Sequence, residues 1–479
     1  GLAEATICYT GDVLNTDPSN RYNMQYYLDL AKQLEDAGAH TIALKDMAGL
    51  LKPYAAQELI PALKEAIDLP IHLHTHDTAG VQSATLLKAI EADVDIIDTS
   101  LSSMSGLTSQ PNLNSMVAIM QGHQREQPFD LHSLNQYANY WEDVREYYYP
   151  FESGLKASTA EVYDHEIPGG QYSNLRPQAI ALGLEHKFNE IKKHYSIVNN
   201  MFGDIVKVTP SSKVVGDMAL FMVSNGLSEA DIMEKGETLA FPDSVIEMFK
   251  GDLGQMEGGF PEALSKIILK GETAMKKRPN VYLDPVDFEA EFELFQQQFG
   301  GDQQLTMQDF LSYKMYPDVF SDFYQHKQEY GEISYLPTSA FFYGLKPDEE
   351  IAVEIGKGKV IIIRLLFISA PGEDGMRTVS FDLNGQTRTV RIRDNSVISK
   401  TTVNQKASDD HEVGAPLQGK LSEILVQDGE YVAKGAPLFV IEAMKMETTL
   451  TAPFEGTVRK VHLQAGELVQ QDDLIIEFK

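Results

Sequence analysis

Three histidines at a spacing of two residues are the clearest sign of chemistry in the first third of the chain. His72, His74 and His76 fall in a short apolar run typical of a β-strand, where alternate side chains point to the same side. At about 3.3 Å per strand residue, His72 and His76 start roughly 13 Å apart, whereas ligands lie about 2.1 Å from a shared metal ion. We therefore expect His74 and His76 to form a metal-binding pair and His72 to pack in the interior. Three core histidines are the alternative interpretation.

A lysine between two methionines marks the last part of the chain. Lys445 is flanked by Met444 and Met446, and flexible methionines add little to a strand edge, so packing does not account for them. Residues 419–432 are echoed by residues 456–469, with the lysine between the two copies. Two copies of a small β-unit with a lysine at a hairpin tip predict a carrier domain. An ordinary turn lysine on a surface hairpin is the alternative.

A hydroxyl-rich turn with the sequence VTPSSK lies at residues 208–213. Taken alone, it predicts a cap for a helix that starts near Ser212, and nothing more. Asp164 and His165 are acid–base candidates by residue type, but their spacing favours a structural role.

Short apolar strands alternate with amphipathic helices through the first 100 residues. The pattern predicts strands at 5–9, 40–46, 71–77 and 94–100 and helices at 20–37, 54–66 and 80–92. Such alternation implies a parallel sheet, either doubly wound or closed as a TIM (β/α)8 barrel. No glycine-rich phosphate-binding loop follows these strands, which favours the barrel. Because a closed barrel needs eight strands, we expect residues 1–126 to be the C-terminal half of an α/β barrel whose first half is missing from this chain.

The remaining residues change in periodicity three times. We predict a helical annex of the barrel at 127–336, a small β-rich module at 337–400, a flexible linker at 401–411 and an all-β domain at 412–479, a flattened barrel of hammerhead type. In the β-rich module, Asn384-Gly385 predicts a type I′ hairpin turn. The linker is polar and lacks periodicity, so we expect it to let the carrier domain move.

Composition excludes several classes of protein. Of the 479 residues, 43% are hydrophobic and 23% charged, which predicts a soluble globular protein without a membrane span. The net charge of −30 argues against nucleic acid or an anionic membrane as a partner, because both need a basic surface. The single cysteine, Cys8, excludes an internal disulfide framework and suits a reducing compartment.

Four motifs resemble those of pyruvate carboxylases, and the resemblance extends essentially from end to end. They are KDMAGLLKP at 45–53, HLHTHDT at 72–78, SSMSGLTSQP at 102–111 and VIEAMKME at 440–447. The resemblance implies the second half of a carboxyltransferase domain, a tetramerisation or allosteric domain and a biotin carboxyl carrier domain.

The resemblance implies a metal site at the barrel. Lys45 would be carbamylated, as N6-carboxylysine, and would bind a divalent metal (Mn, Zn or Mg) together with His74 and His76. A buried lysine loses its charge more readily, and the neutral amine adds CO2 to give an anionic oxygen ligand beside two neutral nitrogens. Without the resemblance, a core lysine paired with Asp46 is the simpler interpretation.

Biotin is the second cofactor that the resemblance implies. It would be attached covalently to Lys445, and its ring would be held by Ser212 and Lys213. Thr209 would pass a proton between the substrate and biotin.

The implied reaction is the last part of a biotin-dependent carboxylation that joins two carbon atoms. A biotin carboxylase domain outside this chain would use ATP and bicarbonate to carboxylate biotin, and this chain would transfer the carboxyl group to pyruvate to give oxaloacetate, in anaplerosis and gluconeogenesis. The implied partners are that domain, the first half of the barrel, biotin protein ligase and further copies in a homotetramer. The location would be the cytoplasm of a bacterium or the mitochondrial matrix of a eukaryote.

Two other functions share parts of this pattern. The α-subunit of a biotin-dependent oxaloacetate decarboxylase, or a transcarboxylase, has the same barrel and carrier, but such subunits usually join them by an Ala/Pro-rich linker rather than a β-rich module. A non-catalytic carrier and assembly fragment is the alternative of another class. Acetyl-CoA or cyclic di-AMP are effectors known in the family, and Tyr54 could stack on a purine, although a solvent-edge tyrosine is the simpler interpretation.

Overall fold

The computed structural model describes most of the chain in two compact units. The described residues are 1–300, 305–372, 375–394, 404–409, 411–443 and 446–479. The first unit combines Gly1–Val281 with Asn404–Lys479, and the second is Tyr282–Val403.

A parallel sheet with helices between its strands opens the first unit. Its strands are β1 (Glu4–Cys8), β2 (Thr41–Asp46), β3 (Ile71–Thr75) and β4 (Ile96–Ile97), and the helices are α1 (Met24–Asp36), α2 (Pro53–Ala66) and α3 (Gln82–Glu91). The strands lie in the order β1-β2-β3-β4, and each pairs in parallel with the next. This is the strand order of a barrel segment, so the α/β prediction is confirmed.

Alternation along β3 separates the apolar face from the polar one. Ile71, Leu73 and Thr75 are buried, whereas the histidines between them are partly accessible on the other face. Helix α2 covers the apolar side of the sheet with a stripe of residues at helical spacing, Leu59, Ile60 and Leu63 among them. The histidines therefore face the side that a closed barrel would enclose.

Strand β4 is shorter than the sequence predicts. Its pairing is confined to Ile96–Ile97, against a predicted 94–100. Asp95 accepts hydrogen bonds from Lys64 Nζ (2.9 Å) and the Ile71 amide (2.8 Å), and Asp98 contacts histidine side chains. These two aspartates flank the strand, and their backbone amides donate to the Ile71 and Leu73 carbonyls at 3.1 Å, so hydrogen bonding to β3 continues on both sides of the paired residues.

The helical annex follows the sheet. In the first unit its helices are α4 (Leu113–Ile119), α5 (Leu131–Glu146), α6 (Val162–His165), α7 (Gly169–Ala181), α8 (Phe188–Met201), α9 (Ser211–Asn225), α10 (Glu229–Lys235), α11 (Asp243–Lys250) and α12 (Glu262–Leu269). Helix α9 is buried on nearly all sides and forms the centre of the annex core. A helix that is apolar around most of its circumference needs neighbours on every side, which α7, α8 and α11 supply.

The second unit joins four helices to an antiparallel sheet. The elements are α13 (Phe288–Phe299), α14 (Met307–Met315), α15 (Pro317–Tyr330), α16 (Thr338–Tyr343), β5 (Glu350–Gly356), β6 (Lys359–Ile368), β7 (Met376–Leu383) and β8 (Gln386–Arg393). Asn384 and Gly385 have φ values of 50° and 83°, so both central residues of the β7–β8 turn have the positive φ that a type I′ turn requires. Residues 282–336, predicted as annex, belong to this second unit.

The carrier domain consists of two antiparallel sheets. Its strands are β9 (Glu412–Gly414), β10 (Gly419–Ile424), β11 (Tyr431–Val432), β12 (Pro437–Ala443), β13 (Met446–Thr451), β14 (Gly456–Val461), β15 (Leu468–Val469) and β16 (Leu474–Phe478). The sheet orders are β13-β12-β10-β15 and β11-β14-β16-β9. The two copies of the predicted repeat begin at β10 and β14, one in each sheet. Ala443 pairs with Met446, whereas Lys445 lies outside the described residues.

Part of the predicted linker is held against the carrier domain. Asn404 Nδ2 donates to Asp473 Oδ2 at 2.8 Å, and Lys406 Nζ lies 2.9 Å from Asp473 Oδ1. The Ala407 amide donates to the Asp472 carbonyl at 2.8 Å. Polar residues led us to predict a mobile linker at 401–411, but two of them, Asn404 and Lys406, bind the buried Asp473.

Within the described ranges, every helix is too short or too polar to cross a bilayer.

Asp473→Asn should release this attached segment. Burial raises the pKa of Asp473, but hydrogen bonds from Gln470, Lys406 and Asn404 outweigh it and hold the pKa below its ordinary value. The attachment is therefore present above the unfolded-state pKa of about 3.9 and is lost as pH falls through the lower native pKa. At neutral pH, the variant should exchange the Ala407 amide hydrogen about tenfold faster or more, since a hydrogen bond to a charged group is lost.

Hydrogen exchange resolved to single residues measures this effect. Asp428→Asn is the matched control, because the Asp428 carboxylate binds the Val461 amide elsewhere in the carrier domain. Equal Ala407 exchange in the unsubstituted chain and in Asp473→Asn would contradict the attachment.

Candidate functional site

A buried carboxylate orders the loop that follows β2. Asp46 is fully buried and accepts hydrogen bonds from the amides of Leu50 (2.7 Å) and Leu51 (3.0 Å) and from Thr75 Oγ1 (2.7 Å). Burial raises the pKa of Asp46, and these hydrogen bonds oppose the rise. Because neighbouring strand residues point to opposite faces, Asp46 turns away from Lys45. The described contacts of Asp46 thus give no support to the Lys45–Asp46 ion pair that the sequence left open.

Parallel register places Lys45 between two chemically active neighbours. Lys45 is paired with Cys8 on β1 and with His74 on β3. Burial raises the pKa of the Cys8 thiol, and the nearby Lys45 charge opposes that rise. The lysine amine and the histidines therefore share the inner face of the sheet, at the carboxyl ends of the strands.

His74 and His76 are brought together with their Nε2 atoms facing each other. The two Nε2 atoms are 3.3 Å apart, and the rings are nearly perpendicular, with centroids 5.1 Å apart. His74 Nδ1 donates to Asp98 Oδ2 at 2.7 Å, and His76 Nδ1 donates to the Thr108 carbonyl at 2.6 Å. A carboxylate and a carbonyl can only accept, so both protons sit on Nδ1. Each neutral ring then has its lone pair on Nε2, the arrangement that ligating histidines adopt.

His72 is separated from this pair by its own partners. Its Nδ1 lies 3.1 Å from Glu4 Oε2, and its Nε2 lies 2.9 Å from Asp98 Oδ1. Burial lowers the pKa of His72, but the hydrogen bonds to Asp98 and Glu4 outweigh it and raise the pKa above its ordinary value. Its neighbours are the carboxylates of Glu4 and Asp98, which sets His72 apart from the converging Nε2 atoms of the other two rings.

Electrostatics distinguish the two ends of this cluster. Burial lowers the pKa of His76, helped by His74 and Lys45 and opposed by the hydrogen bond to Thr108. Burial raises the pKa of Asp98, but the hydrogen bonds from His74 and His72 outweigh that and leave the pKa below its ordinary value. An ionised Asp98 therefore faces a ring that it orients, while His76 favours the neutral form.

The geometry fits a divalent metal ion. Two nitrogen ligands about 2.05 Å from a tetrahedral ion would lie about 3.3 Å apart, and the Nε2 atoms are 3.3 Å apart. Without a cation or proton nearby, two lone pairs directed at each other would repel. The described residues hold no group of three or more His, Cys, Asp or Glu side chains suited to a metal. Lys45, the third ligand expected from the sequence, is paired with His74 in the parallel register.

The motif at 102–111 and the annex close around the histidines. Gln110 Nε2 lies 3.5 Å from His74 Nε2. Helix α7 begins at Gly169, whose amide donates to the Met47 carbonyl at 2.7 Å. A Cβ added at Gly169 would lie 2.9 Å from both His76 Nδ1 and the Thr108 carbonyl oxygen. Only glycine lets the annex backbone approach the hydrogen bond that orients His76.

The turn at 208–213 differs from the predicted helix cap. The N-cap of α9 is Pro210, which has no side-chain cap hydrogen bond, and the helix begins at Ser211. Ser211 Oγ instead donates to the carbonyls of Val206 and Val208, 2.7 Å away from each. The serine hydroxyl therefore folds the preceding loop rather than the first helical turn, and Thr209 is left exposed at its surface.

The two residues expected to hold a biotin ring differ in accessibility. Ser212 is buried, and its carbonyl accepts a hydrogen bond from Tyr195 Oη at 3.2 Å. Lys213 is more accessible, and its Nζ donates to Asp217 Oδ2 at 2.6 Å. His165 is buried and stacked on Tyr172, with centroids 5.4 Å apart, which agrees with its structural interpretation.

A buried ion pair connects the loop of Thr209 to the segment beside His76. Lys207 Nζ lies 2.8 Å from Glu166 Oε2, and Lys207 is 2% exposed. Glu166 has a φ of 51°, a left-handed conformation uncommon for a non-glycine residue. Lys207 precedes Thr209 by two residues and Glu166 precedes Gly169 by three, so one ion pair links the two groups of candidate residues.

Several residues that position the site were missed in the sequence. Asp98 had a usable signal, because it follows the fourth strand, at the rim where barrel enzymes place polar groups. Gly169, Glu166 and Lys207 had none, because their partners lie between 41 and 122 residues away along the chain. Tyr54 is 68% exposed at the start of α2, and Lys445 lies outside the described residues.

Three protein families match successive parts of the chain. Residues 13–140 match a family described as HMGL-like, residues 162–364 match the conserved carboxylase domain, and residues 411–478 match the biotin-requiring enzyme family. The first match covers β2–β4 and ends within α5, the second runs from α6 into β6, and the third covers β9–β16.

Curated relatives and solved structures agree with these matches. The whole chain aligns with pyruvate carboxylases of Bacillus subtilis at 50% identity and Staphylococcus aureus at 49%, covering 42% of each, and with human mitochondrial pyruvate carboxylase at 44%, covering 41% of it. The carboxyl transferase domain of Rhizobium etli pyruvate carboxylase, solved with pyruvate and biocytin, superposes with a TM-score of 0.77 at 49% identity, over 82% of this chain and 66% of that one. The chain therefore spans about two fifths of the length of its curated relatives, and it belongs to the pyruvate carboxylase family.

Proposed function

We propose that this chain transfers a carboxyl group from biotin to pyruvate and so forms oxaloacetate, as part of an ATP-dependent pyruvate carboxylase. The observation that carries the proposal is the pair of imidazoles with converging Nε2 atoms, on the strand beside Lys45, in a chain related to pyruvate carboxylases along its whole length. The related Rhizobium etli domain has been solved with pyruvate and with pyruvate plus biocytin. The proposed substrates agree with those ligands.

Lys45, His74 and His76 hold a divalent metal ion in this proposal, with Lys45 as the carbamate. Mn, Zn and Mg are the candidates. When bound, the ion supplies Lewis-acid stabilisation to negative charge that develops on a carbonyl oxygen. Asp98 and the Thr108 carbonyl keep the two rings in the ligating tautomer, and His72 stays outside the ligand set.

Thr209 moves the proton. Its hydroxyl is exposed on a loop held by Ser211 and Lys207, and it accepts a proton from the pyruvate methyl group while donating its own to the biotin nitrogen. Ser212 and Lys213 orient the biotin ring at the start of α9. CO2 and the enolate are each easily lost to solvent, so the assembled enzyme has to exclude water from this site.

Biotin on Lys445 requires partners beyond this chain. These are a biotin carboxylase domain that uses ATP and bicarbonate, biotin protein ligase, and a further barrel segment. The described strands β1 and β4 each pair with one neighbour within their sheet, so both edges are open to strands of that segment. The proposal also includes assembly as a homotetramer and an acetyl-CoA or cyclic di-AMP effector that contacts Tyr54. The proposed location is the bacterial cytoplasm or the mitochondrial matrix, in line with bacterial and mitochondrial relatives.

Thr209→Ala should abolish carboxyl transfer, because alanine has no hydroxyl to relay the proton. The assay follows oxaloacetate formation in an enzyme that includes the barrel segment and the biotin carboxylase domain of the relatives. Proton relays contribute about 10²–10⁴-fold to a rate, so a loss of that size is expected. Biotinylation, detected with streptavidin, should be unchanged.

Two controls bracket the Thr209 result. Thr209→Ser retains the hydroxyl and should retain most of the rate, whereas Lys445→Arg should lose both the streptavidin signal and oxaloacetate formation. A normal rate for Thr209→Ala would remove Thr209 from the mechanism, and a persistent streptavidin signal in Lys445→Arg would remove Lys445 as the attachment site.

Metal content should depend on two of the three histidines. His74→Ala and His76→Ala each remove a proposed ligand, so metal per chain after dialysis, measured by plasma mass spectrometry, should fall strongly. His72→Ala is the matched control, because His72 has the same residue type on the same strand but faces Glu4 and Asp98. Loss of metal in His72→Ala alone would reverse the assignment.

A further inference from the structure

The first turn of α11 contacts the carrier domain. Asp243 is the first residue of this helix, and its two carboxylate oxygens accept hydrogen bonds from Thr449, at 3.2 Å from the amide nitrogen and at 2.8 Å from Oγ1. Thr449 lies on β13, at the edge of its sheet, and is four residues beyond Lys445. An unpaired edge amide is thus satisfied by an annex side chain.

A second contact between the annex and the carrier domain is apolar. Leu182, at the end of α7, packs against the buried core of the carrier domain. Leu182, Leu184 and Ser224 of the annex face a shared cleft with Pro416 and Leu417 of the carrier domain. The carrier domain therefore meets the annex at two separate places, one polar and one apolar, which defines its orientation.

The residue after Asp243 faces the opposite direction, into the annex. Ser244 Oγ donates to Asp217 Oδ2 at 2.7 Å, and the same oxygen accepts from Lys213 Nζ at 2.6 Å. Asp217 is fully buried on α9, and its other carboxylate oxygen is buried without a hydrogen-bond partner in the described structure. A buried carboxylate with so few partners depends strongly on the two donors that it has.

Two adjacent residues of one helical turn thus join the carrier domain to Lys213. We propose that the first turn of α11 is the docking contact for the carrier domain, through Asp243 and Thr449, and that Asp217 and Ser244 form a positioning pair that links this contact to Lys213. The inference rests on the proposed function in one respect, namely that Lys213 orients the biotin ring. Docking of the carrier domain would then position Lys213, the residue beside which the biotin of that domain arrives.

The charges around α11 make this contact selective. Glu247 lies one turn after Asp243, and burial raises its pKa, with further rises from Asp243, Asp252 and Glu447 of the carrier domain and an opposing effect from Lys213. Two acidic side chains thus lie near each other across the interface, and their charges repel. The Asp243–Thr449 hydrogen bonds and the Leu182 contact oppose this repulsion.

The docking contact is tested by hydrogen exchange at residue 449 in the 479-residue chain. In the unsubstituted chain the Thr449 amide should be protected, and Asp243→Ala should accelerate its exchange about tenfold or more, as expected for loss of a hydrogen bond to a charged acceptor. Thr449→Ser retains both donors and should behave like the unsubstituted chain. The Val458 amide, which donates to the Glu430 carbonyl inside the carrier domain, should exchange equally in every variant and so reports that the domain is folded.

The link to Lys213 is tested by the acylation rate of its amine, measured by isotope labelling and mass spectrometry. Asp217→Asn should raise the rate several-fold because the amine loses its charged acceptor, and Ser244→Ala should raise it because Asp217 loses a hydrogen bond that positions it. Thr449→Val should also raise it, although Thr449 has no described contact with Lys213. Lys235, in a similar pair with Asp231 at 2.6 Å, is the internal control and should respond only to Asp231→Asn.

Each combination of results decides between the parts of the proposal. Faster Thr449 exchange in Asp243→Ala together with faster Lys213 acylation in Thr449→Val supports both parts. Faster exchange with unchanged acylation overturns the link, and unchanged exchange overturns the docking contact. Neither readout requires carboxyl transfer, so failure of the Thr209 prediction would leave these results intact and would count against the proposed function alone.

Discussion

Two hydrogen bonds donated by histidine Nδ1 atoms organise the candidate site. The Asp98 carboxylate and the Thr108 carbonyl hold the protons of His74 and His76 on the far side of each ring, so that both Nε2 lone pairs point to one place. The two Nε2 atoms are 3.3 Å apart, and their converging lone pairs are stable only with a cation or proton beside them. The loops after β2 and β4 and the start of α7 are shaped around these two hydrogen bonds, as the missing Cβ at Gly169 shows.

Three carboxylates near the candidate site hold other residues in position. Asp46 orders the loop after β2, Asp98 orients His74, and Asp217 holds Lys213. Each is partly or fully buried, and each has hydrogen-bond donors that offset the cost of removing a charge from water. A carboxylate placed in this way supplies fixed geometry at a candidate site whose proposed reacting groups are histidines, a lysine and a threonine.

Much of the architecture could be predicted because it depends on local pattern. Strands β2 and β3 and helices α2 and α3 were predicted to within two residues at each end, and the Asn384-Gly385 turn was predicted in type. Strand β4 and the turn before α9 were less well predicted. At the turn, the Ser211 hydroxyl binds the Val206 carbonyl of the preceding loop, and this contact replaces the local preference for a helix cap. Strand β4 is regular only at Ile96–Ile97, although the Asp95 and Asp98 amides still donate to carbonyls of β3.

The sequence by itself determined which residue types could do chemistry and on which face they lie. A spacing of two along a strand puts three histidines on one side, and a repeat with a central lysine makes a carrier domain, because these are properties of local backbone geometry. The spacing also favoured His74 and His76 as the converging pair, but only the tertiary structure decided what orients them. It also decided that a carrier strand meets α11 beside the residues that hold Lys213. Those outcomes depend on partners dozens to hundreds of residues apart, such as Asp243 and Thr449, and no local pattern encodes that separation.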